Sequence, residues 1–126
     1  MEVSFLPEAV CVARLRQLSS AVLHRSGLRD ATAIDTVELL VSEIVTNAIA
    51  HGGGGDVTFR LALDPLGEVR IEVDDHTPGG VPEVRYPGPD EESGRGMQIV
   101  ALLARSWGRK GSCTWCTVPS RRGIAA

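Results

Sequence analysis

The sequence predicts an α+β two-layer sandwich, its mixed and mostly antiparallel sheet covered on one face by helices. Three observations carry that expectation. The periodicities run helix, helix, hairpin, loop, helix, strand. That order lacks the strand–helix alternation of a doubly wound dinucleotide fold. And 126 residues, 43% hydrophobic and 23% charged, suit one domain with a single core, expected over residues 1–126.

Each element has its own local reason. Residues 2–6 read as a short edge strand. Pro7 suits a first helical turn with Glu8 near its positive dipole end. Val10, Ala13, Leu15, Leu18, Val22 and Leu23 then recur at helical spacing until Gly27. Asp30 is the expected N-cap of the next helix. Its apolar stripe is Ile34, Val37, Val41, Ile44, Val45 and Ala48, and it stops at four consecutive glycines from Gly52. Val57, Phe59, Leu61 and Leu63 alternate as a half-buried strand, and Val69, Ile71 and Val73 form its hairpin partner after the Asp64–Gly67 turn. Residues 80–93, rich in proline and acid, read as a mobile loop or lid. Gly94-Arg95-Gly96 opens a helix through Leu103, Trp107 begins a strand, residues 108–111 turn, and Cys113 to Val118 is the last strand. Residues 119–126 read as a frayed basic tail.

Composition excludes several classes. No apolar run approaches the ~20 residues of a membrane helix, and no signal-peptide pattern opens the chain, so a cytoplasmic protein without a membrane partner is expected. The net charge of −3 and 4% aromatic content argue against nucleic-acid binding. Cys113 and Cys116 spell C-x-x-C, but residues three apart in a strand point to opposite faces, and Cys11 stands alone. Buried or half-buried thiols are expected rather than a metal or redox pair.

The functional signal lies in the second helix. Glu43, Asn47 and His51 recur every four residues, and at roughly 100° per residue they form a seam beside the apolar stripe. A helix that only packed against a sheet would gain nothing from an acid and an amide there. One lining a pocket for a metal-bound phosphate would use both.

Glu43-x-x-x-Asn47-x-x-x-His51, Asp75-x-x-x-Gly79 and Gly94-Arg95-Gly96-Met97 resemble, in order, the N box and two glycine boxes of a known ATPase superfamily. Gyrase, the ninety-kilodalton heat-shock chaperone, histidine kinases and mismatch-repair ATPases share it, on a Bergerat-type ATP-binding fold. More narrowly, Ser42 to Ala48, Asp75-His76-Thr77-Pro78 and Gly94-Arg95-Gly96-Met97-x-x-Val100 are similar to the bacterial anti-sigma factor serine kinases and to small stand-alone ATP-binding regulators of actinobacteria. The resemblance runs from about Pro7 to Val118.

It implies a role for each matched residue. Glu43 would be the general base, and Asn47 the ligand of a Mg²⁺ that bridges the phosphates of ATP. His51 either faces the phosphates or finishes the helix. Asp75 would accept from the adenine amine, with Asp74 facing solvent, and Gly79 would let the backbone approach the base. Gly94, Gly96 and Met97 would form the phosphate cradle at a helix start, with Arg95 facing either phosphate or solvent. The family places a threonine near adenine, two residues before a tryptophan. Cys113 stands there in this chain, with Thr114 beside it.

The implied function is a serine/threonine protein kinase and anti-sigma factor that phosphorylates an anti-anti-sigma partner. The alternative is a binding module that sequesters a sigma factor or other regulator stoichiometrically, with ATP ordering the lid. A third reading is an ATP-binding regulator outside sigma-factor control. A homodimer is compatible with the resemblance, with the early helices as a surface.

Overall fold

A computed structural model describes residues 1–77 and 95–121, the Arg95 side chain excepted. Its elements are β1 (Glu2–Phe5), α1 (Val10–Arg25), α2 (Ala31–His51), β2 (Val57–Leu63), β3 (Val69–Asp74), α3 (Arg95–Leu103), β4 (Ser106–Lys110) and β5 (Cys113–Val118). The strands form one sheet in the order β1-β2-β3-β5-β4. Every pairing is antiparallel, so the sheet is more uniform than the expected mixed one. The last strand, β5, reaches the sheet interior because it pairs with β3 along its whole length, from Val69↔Val118 to Asp74↔Cys113, leaving β4 at the edge. The helices cover one face, as expected for an α+β sandwich.

Strand alternation sorts the two faces. Val57, Phe59, Leu61, Val69, Ile71, Val73, Cys116 and Val118 turn toward the helices and are buried. All six residues of the expected α2 stripe are buried with them. Each fully buried aliphatic side chain contributes about 1.5–3 kcal/mol, so α2 is the main apolar support of the sheet. On α1 only Leu15, Ser19 and Leu23 are buried, while Val10 and Leu18 stay exposed. The opposite sheet face is polar. Arg60 bridges Glu2 and Glu72, Arg70 pairs with Glu72, and the Arg70 guanidinium lies 4.5 Å from the centre of the Trp115 ring.

Local chemistry sets the boundaries. The Asp30 carboxylate accepts from the Ala33 N–H at 3.1 Å, capping α2 as expected. Pro7 lies before α1 rather than in its first turn, because Glu8 N–H folds back to Leu6 O at 2.7 Å and the helix starts at Val10. Gly108 belongs to β4 instead of a turn. A Cβ there would meet the Trp115 ring at 3.1 Å, so glycine lets the indole lie flat across the strand. The real turn is Gly111–Ser112, where Gly111 supplies a φ of +61° between the paired residues Lys110 and Cys113. The start of the tail is docked: the Ser120 hydroxyl donates to Gly67 O, and Arg121 N–H to Asp30. The expected lid falls wholly outside the described residues, as does the tail beyond residue 121. Among the described residues no helix is long and apolar enough to cross a membrane.

Candidate functional site

Glu43, Asn47 and His51 stand along α2 at the margin of its buried stripe, the first two half-buried and His51 exposed in the last turn. Neither the Glu43 carboxylate nor the Asn47 amide has a hydrogen-bonding or ionic partner among the described residues. Burial pushes the Glu43 carboxyl above its ordinary pKa. A half-buried acid and amide without partners among the described residues are open to a ligand.

The first turn of α3 meets this seam. A Cβ on Gly96 would stand 2.8 Å from Glu43 Oε2 and 3.7 Å from Glu43 Cβ, so glycine leaves the Glu43 carboxylate its place between the two helices. The first N–H groups of α3 lack intrahelical acceptors, which makes that end a favourable place for an anion. Met97 contributes its backbone there, while its side chain is buried in the core. Gly79, Gly94 and the Arg95 side chain lie outside the described residues.

Asp75 lies at the C-terminal end of α2. A Cβ on Gly52 would come within 3.5 Å of Asp75 Cβ, and one on Gly53 within 2.9 Å of Thr77 Cγ2. The glycine exit of α2 therefore abuts the exit of β3. Asp75 continues the inward parity of Val69, Ile71 and Val73 and is buried, whereas Asp74 turns outward to Ser112 and the His76 N–H. That split matches the expectation for the two aspartates.

Two side chains not foreseen complete this corner. Arg109 on β4 grips Asp75 with both terminal nitrogens, at 3.1 and 3.2 Å, and the pair is almost enclosed, at 12% and 6% exposure. Thr77 adds its N–H at 2.9 Å and its hydroxyl at 2.6 Å to the same carboxylate. Burial by itself would raise the Asp75 pKa; the hydrogen bonds from Thr77 and Arg109 outweigh it and hold the carboxyl below its ordinary value. Ending the strand at Gly108 hid Arg109. Continuing the parity of Trp107 would have put Arg109 inward, opposite Thr114.

Thr114 and Cys113 are sorted by the same alternation. Thr114 is buried on the helix-facing side, 3.3 Å from Arg109 Nη1. Cys113 faces the polar side, where burial together with Glu72 and Asp74 raises its pKa. Of the two expected residues, Thr114 thus joins the Asp75–Arg109 corner, and Cys113 does not. Cys116 points the other way into the core, its thiol pushed up to about 12 by burial, and all three cysteines are free.

An α+β sandwich whose central helix carries an acid–amide seam, met past its middle by the start of another helix and at its exit by a buried aspartate, is the frame of a nucleotide-binding ATPase domain. A match to the histidine kinase-like ATPase domain family spans residues 5–118, and the chain belongs to that family. ATP binding goes with this class of domain. No curated protein matches the chain.

Proposed function

We propose that the chain is a Mg-ATP-dependent serine/threonine protein kinase of the anti-sigma factor type, acting on an anti-anti-sigma partner. The observation that carries this reading is Glu43, a half-buried acid with a raised pKa and no partner among the described residues, set against the start of α3 at Gly96. In this reading Glu43 takes the proton of the attacking serine or threonine hydroxyl as its oxygen bonds to the γ-phosphorus and the bond to ADP breaks. A raised carboxyl pKa brings the base nearer its working pH. The α3 N–H groups and the absent Cβ of Gly96 leave room and partial positive charge for the phosphates.

Asn47 suits a magnesium ligand, since Mg²⁺ takes hard oxygen donors and needs few from protein when phosphates supply the rest. Bound there, the ion would neutralise phosphate charge. Phosphoryl transfer needs mostly positioning and charge neutralisation from the protein, which these groups supply.

The test is incubation with γ-labelled Mg-ATP and a candidate anti-anti-sigma protein. Label on a partner serine or threonine, lost in Glu43→Gln, is the expected result. Tight association without transfer would replace the kinase with an ATP-dependent sequestering module, of a sigma factor or another regulator.

A further inference from the structure

The carboxylate expected to read the base is already held by four donors. Asp75 Oδ1 accepts from Thr77 N–H, the Thr77 hydroxyl and Arg109 Nη2, and Oδ2 accepts from Arg109 Nη1. Each carboxylate oxygen offers about two acceptor sites: three donors crowd Oδ1, and Arg109 holds Oδ2 as well, the one side chain that grips both oxygens. The guanidinium is equally committed. Its Nε–H goes to Gly111 O at 3.0 Å, and Nη1 adds the Thr114 hydroxyl at 3.3 Å. Nη2 adds the Thr77 hydroxyl at 3.4 Å. An arginine has five N–H donors, and each has an acceptor here. Arg109 thus spans the corner from its own turn, across Thr114, to Asp75.

We infer that Arg109 is a built-in competitor for the base: it latches Asp75 shut, and a nucleotide must displace it before its exocyclic amine can use that carboxylate. This rests on the nucleotide-site reading above and adds a specificity determinant to it. The latch acts on the base end alone, because Glu43 and Asn47, at the phosphate end, touch none of its groups. It sets a weak resting affinity for the nucleoside while leaving the affinity for a bare polyphosphate untouched. A partner or residue that drew Arg109 away would raise nucleotide affinity without contacting the nucleotide.

The experiment compares Mg-ATP and magnesium tripolyphosphate binding by calorimetry to the wild type, Arg109→Met and Arg109→Lys, each verified as folded by circular dichroism. Hydrogen bonds to charged groups are strong enough that freeing the carboxylate should tighten Mg-ATP by about tenfold or more in Arg109→Met. Lysine, which cannot grip both oxygens, should give a smaller gain. Tripolyphosphate affinity should stay within about twofold throughout. Unchanged or weaker Mg-ATP binding in both folded variants overturns the latch, as does an equal gain for tripolyphosphate. If neither ligand binds any of the three proteins, the nucleotide-site reading itself falls.

Discussion

Removing the charge of Asp75 while keeping its size, in Asp75→Asn, tests the base corner as a structural unit. Asp75 and Arg109 are almost enclosed, and removing one partner of a buried pair typically costs about 3–5 kcal/mol. Arg109 would keep Gly111 O and the hydroxyls of Thr77 and Thr114, which places the cost at the lower end, about 3 kcal/mol. For a domain of this size that is a fall in Tm of about 12 °C. Urea unfolding followed by the fluorescence of Trp107 and Trp115 reads it directly. The double variant Asp75→Asn/Arg109→Met should be more stable than the sum of the two single losses by over ~1 kcal/mol, as expected for groups in contact. The pH dependence has a definite sign. Because the folded pKa of Asp75 is depressed, its contribution is present above the unfolded value and lost as pH falls through the folded one. The wild type should lose this increment below about pH 4, and Asp75→Asn should lack that loss. A Tm drop under about 4 °C, or additivity within ~0.5 kcal/mol, would refute the argument.

Other expectations concern the rest of the molecule. Glu43 has a raised folded pKa, so its ionisation disfavours the fold as pH climbs above the ordinary glutamate value. Glu43→Gln should therefore melt higher than wild type at pH 7–8 and lose that advantage near pH 4, in a thermal scan across pH. Gly96→Ala forces the Glu43 carboxylate aside; since that group is a flexible tip, stability should change by no more than about 1 kcal/mol, while calorimetry should show Mg-ATP binding weakened. Gly52→Ala meets the immovable Ala48 carbonyl at 2.5 Å instead and should cost about 1–3 kcal/mol by urea unfolding. Cys116, with its buried thiol at about 12, should resist a disulfide reagent at pH 8 until the protein unfolds.

Much of the fold was legible because it follows from local rules. The Asp30 cap, the glycine stop of α2 and the period-two run of β2 each depend on neighbours a few residues away. The α2 stripe was readable for the same reason. What stayed hidden depends on pairing across distance. β5 lies between β3 and β4 only once the sheet assembles, and that placement brings Arg109 to Asp75, 34 residues earlier. The site divided likewise. The seam of Glu43 and Asn47 and the inward turn of Asp75 came from periodicity. Both Cys113 and Thr114 were expected at the site, and which of them faces Asp75 turns on a one-residue shift, since in a strand such a shift reverses the face a side chain takes.

The C-terminal half of α2 meets both glycine contacts. Gly96 lies against Glu43 past the helix middle and Asp75 against Gly52 at its exit, positions nine residues apart on a single rod, or about 13 Å of axial rise. The helix is thereby a ruler, holding Glu43 and the Asp75–Arg109 corner at a fixed span. A one-residue insertion between them would swing one corner about 100° around the axis relative to the other, so this stretch should tolerate changes of side chain far better than changes of length.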